Sequence, residues 1–396
     1  MDIISEKVRA LLENSSWIRR MFEEGIELKK KHGADKVCDF SLGNPDLPPP
    51  PEVVEGLKEL SSIAGQPFSF GYMPNAGFGW ALQKLALYLT REQETQLGEN
   101  DLALCCGAAG AMNILLKTII NPGDEIICIA PYFVEYGSYV DNYGGALKPV
   151  LSSAADFSLD LSALEKAIKP ETKGVILNSP NNPTGQVYGR EELTELAGIL
   201  RRKSREYGHP VFLISDEPYR FLVYDGAEVP ALLPLYEYAV VLGSFSKNLS
   251  LPGERIGYIA LAPQMPGKES LRSGLVLCNR ILGFVNPTVV GQYLLKHALG
   301  KTVDLGVYAA RRKAMAEVLS EAGYKFFMPR GAFYFFPQAP GGDDTKFVRR
   351  LASELVLAVP GSGFGLPGFF RLAFCVQEEE IRRSLPGFKR ARAACE

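Results

Sequence analysis

At 396 residues and 46% hydrophobic side chains, the chain is long enough to bury a large core and to divide into two domains. A formal net charge of −2, with no dense gathering of Lys and Arg, excludes the electrostatic footprint of a nucleic-acid binder, and no run of about 18 apolar residues marks a membrane span. Three isolated histidines, His32, His209 and His297, leave too few imidazoles for a His-rich metal centre or a His-based triad, so no metal is expected.

In chain order, Met1 to Lys31 reads as a charged amphipathic helix with Val8, Leu11, Leu12 and Ile18 as its apolar positions. It lacks the uninterrupted apolar core of a signal peptide, so export is not indicated. Seven scattered cysteines (Cys38, Cys105, Cys106, Cys128, Cys278, Cys375 and Cys395) read as reduced thiols of a cytoplasmic protein. Cys105 and Cys106 are expected as strand residues facing opposite sides. The segment Gly43–Pro51, rich in proline, is a linker or a site loop.

From Asp101 to Gly257 short apolar, β-branched runs alternate with helical stretches, the pattern of a parallel or mixed sheet covered on both faces. Strands are expected over 102–105, 125–129, 174–177, 211–215, 239–243 and 256–261. Helices are expected over 110–120, 161–167, 190–207 and around Leu251. Beyond Pro287 a long helical stretch, 288–322, precedes 326–337, 345–354 and 369–376, which reads as an α+β domain.

Three blocks carry chemistry. Asn178-Ser-Pro-Asn-Asn182-Pro-Thr-Gly185 follows an apolar strand run. It is either a generic turn built of turn formers or a rigid shelf at the ligand-binding end of a sheet. Asp216-Glu-Pro-Tyr219 follows another run; Asp216 is either a helix N-cap ahead of Pro218 or a carboxylate that keeps an aromatic nitrogen protonated. Ser244-Phe-Ser-Lys247 follows a third, with Arg255 in a Gly-flanked turn. A lysine placed in a cleft there is desolvated and becomes a nucleophile, and Ser244 with Arg255 suits a phosphate.

Together, N-x-x-N-P-T-G, D-x-x-Y and S-x-x-K with an arginine eight residues on resemble the fold-type I, class I/II aminotransferases, enzymes that use pyridoxal phosphate. The resemblance implies an α/β fold: a large cofactor-binding domain with a mostly parallel sheet covered by helices (46–286) and a smaller α+β domain made of 1–45 and 287–396. It implies that Lys247 carries the cofactor as a Schiff base and shuttles the Cα proton. It further implies that Asp216 partners the pyridine nitrogen, that Tyr219 and Asn182 donate to the phenolic oxygen, and that Ser244 and Arg255 bind the phosphate. Cys106-Gly-Ala108-Ala109-Gly-Ala resembles the family's phosphate turn, but the commoner version places hydroxyl or basic side chains where Ala108 and Ala109 offer only backbone amides. Phe133 resembles the aromatic that stacks on the pyridine ring, the alternative being a core Phe. Tyr72 resembles the tyrosine that reaches the neighbouring subunit's phosphate, which implies a homodimer. Arg371, flanked by apolar residues, resembles the α-carboxylate ligand rather than a surface arginine. Gly43 and Asn182 resemble further contacts to that carboxylate.

The activity implied moves an amino group between an L-amino acid and a 2-oxo acid with ping-pong kinetics. A carbon–sulfur β-lyase or an aminocyclopropane-type synthase shares the lysine and aspartate. A non-catalytic cofactor-binding regulator is a third reading, but such regulators carry an extra DNA-binding domain, which the sequence does not suggest. Arg280 is the candidate for a second arginine serving dicarboxylic substrates.

Overall fold

The computed structural model describes residues 3–13 and 17–395. Two compact units divide the chain: Pro45–Leu305 with Arg330–Ala332, and Met1–Asn44 with Gly306–Pro329 and Phe333–Glu396. The segment 287–305, read from sequence as part of the smaller domain, lies in the larger unit. Its helix Val289–Ala298 packs on the helix Glu52–Ile63, where Gly56 lets the backbones approach; a Cβ there would sit 2.8 Å from the Tyr293 carbonyl oxygen.

The strands are, in order, β1 (Cys38–Asp39), β2 (Leu102–Cys105), β3 (Glu125–Ala130), β4 (Ala146–Leu151), β5 (Thr172–Asn178), β6 (Phe212–Asp216), β7 (Ala239–Ser244), β8 (Gly257–Leu261), β9 (Tyr334–Phe335), β10 (Val356–Leu357), β11 (Val359–Pro360) and β12 (Phe370–Ala373). The larger unit holds a sheet of order β2-β8-β7-β6-β5-β3-β4. All neighbours are parallel except β8, which runs antiparallel to both β7 and β2. Strands β2, β7 and β8 are buried along their whole length, as strands with both faces covered must be, which is why they read as continuous apolar runs.

Helix ends follow local chemistry. Asp160 caps Leu161–Ala167 by accepting from the Ala163 amide at 2.8 Å, and Thr288 does the same for Gly291 at 3.0 Å. The helix Arg190–Tyr207 opens on Glu191 and Glu192 and stops at Gly208 in the left-handed region.

Several sequence expectations shift. The N-terminal helix is two helices, Glu6–Glu13 and Trp17–His32; Met1, Asp2, residues 14–16 and the side chain of Ile18 lie outside the described residues, and Val8, Leu11 and Leu12 are exposed. Cys105 ends β2 while Cys106 precedes the helix Gly107–Ile119, so the pair does not share a strand. The segment near Leu251 forms only a 3-10 turn, Pro252–Glu254, and the stretch 288–322 breaks at Gly300, whose φ is +82°. β4 escapes a sequence reading because it is a half-exposed edge carrying Lys148 and Pro149.

The smaller unit pairs β1 with β10 in parallel and β11, β12 and β9 antiparallel. Its core is aromatic, with Phe347, Phe364 and Phe370 fully buried. Among the described residues no helix is long and apolar enough to cross a membrane.

Candidate active site

Because β8 reverses direction, the carboxyl ends of β2, β3, β5, β6 and β7 meet at one edge of the sheet together with the start of β8. Ligands of such sheets bind at this edge. All three chemistry-bearing blocks of the sequence leave it.

The loop after β5 is a shelf, not a loose turn. Asn181 accepts from both the amide (3.0 Å) and the hydroxyl (2.8 Å) of Thr184, and its backbone N–H donates to the Gln186 carbonyl at 2.9 Å. Asn178 accepts from the Asn182 amide at 2.7 Å and donates to the Asp216 carbonyl at 2.8 Å. Asn178 to Gln186 is buried throughout, and its polar groups find partners within the shelf and on its neighbours, Asp216 for Asn178 and the Asp156 carbonyl for Gln186.

Asp216 ends β6 opposite Asn178 of β5 and Leu242 of β7. No helix follows; Pro218–Phe221 is a turn, which removes the N-cap alternative and leaves Tyr219 buried beside the strand end. Tyr136 donates to Asp216 Oδ2 at 2.5 Å. The other oxygen, Oδ1, is buried with no hydrogen-bond partner among the described residues. Burial pushes the carboxyl up to about 6; the Tyr136 hydroxyl opposes this and the Glu217 charge adds to it. Glu217 is itself buried, accepting from Ser215 (2.8 Å), Gln93 (3.1 Å) and Arg220 (3.0 Å).

From Ser244, the last residue of β7, the chain passes through the turn carrying half-buried Lys247 and returns through Arg255 to Gly257. Arg255 is exposed, in the left-handed region, and donates to the Pro252 carbonyl at 3.0 Å. The turn Cys106–Ala109 meets this return closely. A Cβ on Gly257 would lie 2.6 Å from the backbone of Gly107 and of Gly243, and one on Gly107, whose φ is +71°, would lie 3.0 Å from the Arg255 guanidinium. Ser244, Arg255 and the amides of Ala108 and Ala109 are thereby collected at the start of the helix Gly107–Ile119, a setting that suits an anion. Phe133 follows β3 at the same edge, half-buried, its ring edge-on to Tyr136.

Within the smaller unit, Arg371 is buried, which excludes the surface-arginine alternative. It donates to the Ser41 carbonyl at 2.6 Å, and its guanidinium lies over Tyr334 (4.7 Å) and Phe364 (4.8 Å). Ser41 is fastened to Asp39 by its hydroxyl at 2.6 Å, and Asp39 pairs with Lys29 at 2.7 Å. Gly43 lies against Tyr334; a Cβ there would come 2.1 Å from the phenol oxygen.

These residues fit pyridoxal phosphate. The buried Oδ1 of Asp216 calls for a cationic donor, which a protonated ring nitrogen supplies, and the amides that open the helix Gly107–Ile119 beside the Arg255 guanidinium suit a phosphate. Sequence reasoning missed Tyr136 and Glu217. The signals available were an aromatic three residues past Phe133 and an acid adjoining Asp216.

The sequence profile of the family Aminotransferase class I and II matches residues 35–386. A probable aspartate/prephenate aminotransferase of Aquifex aeolicus is 32% identical over 92% of this chain and 93% of its own. An aspartate aminotransferase of Thermotoga maritima is 31% identical over 90% and 91%. Among solved structures, an amino transferase from Eubacterium rectale superimposes with a TM-score of 0.95 at 37% identity, covering 100% of this chain and 99% of that one. The aspartate aminotransferase of Thermus thermophilus with maleate gives 0.86 at 27% identity, covering 99% and 100%.

Proposed function

The chain belongs to the class I and II aminotransferases and is a pyridoxal-phosphate-dependent enzyme that transfers amino groups, and on that premise we propose a division of labour among its residues. The observation that carries it is the buried Asp216 carboxylate with one oxygen left over at the ligand-binding edge of the sheet. Such a carboxylate favours the cationic form of a ring nitrogen. Bound here, pyridoxal phosphate supplies a ring that draws off the electron pair left when a Cα–H bond breaks.

In this reading Lys247 Nζ would hold the cofactor covalently, and its amine, when free, would move the substrate's Cα proton. Tyr219 and Asn182 donate to the cofactor's phenolic oxygen, and Phe133 covers the ring face. Ser244, Arg255 and the amides of Ala108 and Ala109 hold the phosphate. Arg371 takes the substrate α-carboxylate by paired N–H donors, its plane set by the Tyr334 and Phe364 rings, with Asn182 and the Gly43 backbone as further contacts.

An L-amino acid leaves as its 2-oxo acid before a second 2-oxo acid enters, which is ping-pong kinetics. Aspartate is the donor to which the named relatives point. Those relatives are aminotransferases, which sets aside the lyase and synthase readings. The active unit is a homodimer in this reading, in which Tyr72 reaches the neighbouring phosphate. Support comes from Tyr72 and Phe68, 95% and 92% exposed, beside an open groove lined by Phe70, Phe284, Val285 and Val290. Arg280, exposed on the helix Lys268–Ile281, is the candidate cation for a second carboxylate. Seven free cysteines suit a cytoplasmic setting.

Borohydride reduction of the holoenzyme and peptide mass mapping test the reading. The cofactor's mass is expected on the peptide containing Lys247, and a label on another lysine would overturn it. Aspartate alone should release its 2-oxo acid in a single turnover.

A further inference from the structure

Asp216 is held by more than its strand. Its backbone carbonyl accepts from Asn178 at 2.8 Å, and among the described residues only Oδ2 of its two carboxylate oxygens has a hydrogen-bond partner, the Tyr136 hydroxyl at 2.5 Å. Rotation of the carboxylate is therefore fixed by one phenol. That phenol, from the helix Glu135–Asp141, is 2% exposed, and its ring stands edge-on to Phe133, centroids 5.6 Å apart at 83°. One side chain thus touches both the acid assigned to the ring nitrogen and the aromatic assigned to the ring face.

We infer that Tyr136 is a positioning residue for transamination, aiming Asp216 Oδ1 at the cofactor nitrogen while its own ring sets the tilt of Phe133; the inference rests on the reading of Asp216 given above. A hydrogen bond donated to a carboxylate favours the charged form, against burial and against the neighbouring Glu217 charge. The other titratable groups facing this pair are Tyr139 on the same helix and Cys128 of β3. Neither carries a charge near neutral pH, because burial raises both.

The test is the affinity of the cofactor-free protein for pyridoxal phosphate, titrated by absorbance across pH in the parent, Tyr136→Phe, Asp216→Asn and the double variant. Tyr136→Phe keeps the ring against Phe133 and deletes the donor. It should bind about tenfold more weakly at neutral pH, with the acidic limb of the binding profile moved up by about one pH unit. In the Asp216→Asn background it should add no further loss. Parent-like binding by Tyr136→Phe at every pH, or an equal loss in both backgrounds, overturns the inference while the assignment of Asp216 stands. Unchanged affinity in Asp216→Asn alone overturns both. If Tyr136→Phe does not fold, Tyr136→His, which retains a ring N–H donor, decides. A parent-like acidic limb supports the inference, and a profile matching Asp216→Asn sinks it.

Discussion

The side-chain nitrogen of Asn178 donates to the backbone carbonyl of Asp216 at 2.8 Å, joining the carboxyl ends of β5 and β6 at the position where the two residues are already strand partners. The Asn178 oxygen accepts from the Asn182 amide at 2.7 Å, so one buried side chain braces both the shelf and the acid. Asn178→Ala removes one hydrogen bond from a buried carbonyl and one from a buried N–H and should cost about 2–4 kcal/mol in denaturant unfolding, with weaker cofactor binding as a result. An unchanged denaturation midpoint would show that the brace carries no weight.

Asp216 also gives the cofactor-free protein a pH signature. Its carboxyl is raised from 3.8 to about 6 by burial. The native state thus holds its proton more tightly than the unfolded chain does. The stability this contributes is complete below the unfolded value, near 4, and is lost as pH rises through about 6. Asp216→Asn, which carries no charge to bury, should therefore outlast the parent by about 1–3 kcal/mol at pH 8 and by almost nothing at pH 4. Melting curves of the two cofactor-free proteins across that range give the answer; a constant gap would contradict the assignment.

The Arg371 guanidinium lies over the rings of Tyr334 and Phe364 with one nitrogen already engaged by the Ser41 carbonyl. Lysine cannot reproduce a planar fork held in that orientation. For Arg371→Lys, kcat/KM with α-amino acids should fall by about two to three orders of magnitude, mostly through KM. Reaction with a simple amine lacking a carboxylate should hardly change. Equal losses for both would place Arg371 outside carboxylate recognition.

Gly107 has a φ of +71° and faces the Arg255 guanidinium, with only 3.0 Å available to a Cβ. Gly107→Ala combines a disfavoured backbone with a displaced arginine and should cost about 1–2 kcal/mol of stability. Its affinity for pyridoxal phosphate should fall more than its affinity for pyridoxal, because the damage is confined to the phosphate end. Titration with both forms separates the two effects.

Much of the sheet and of the site edge was legible because buried parallel strands read as apolar runs, and each chemical block sits at the end of one: Asn178 at the end of β5, Asp216 at the end of β6, Lys247 just beyond β7. Partnerships distant in sequence were not legible. Tyr136 and Asp216 are 80 residues apart, and Glu217 finds Gln93 124 residues away. No local periodicity signals such contacts. The N-cap alternative at Asp216 was a fair reading of Asp before Pro, but residues 218–221 turn instead of starting a helix. The helix Gly107–Ile119 begins earlier than its apolar pattern does, because its first turn is made of small residues chosen for clearance.

The reversal of β8 against β7 brings the chain that departs at Ser244 back to the same rim at Gly257, so the single excursion 245–256 carries both Lys247 and Arg255. In the proposed site the reach of the amine and the grip on the phosphate are therefore yoked. A longer or shorter hairpin retunes both at once, and a cofactor of different length would demand that this one segment be rebuilt as a whole.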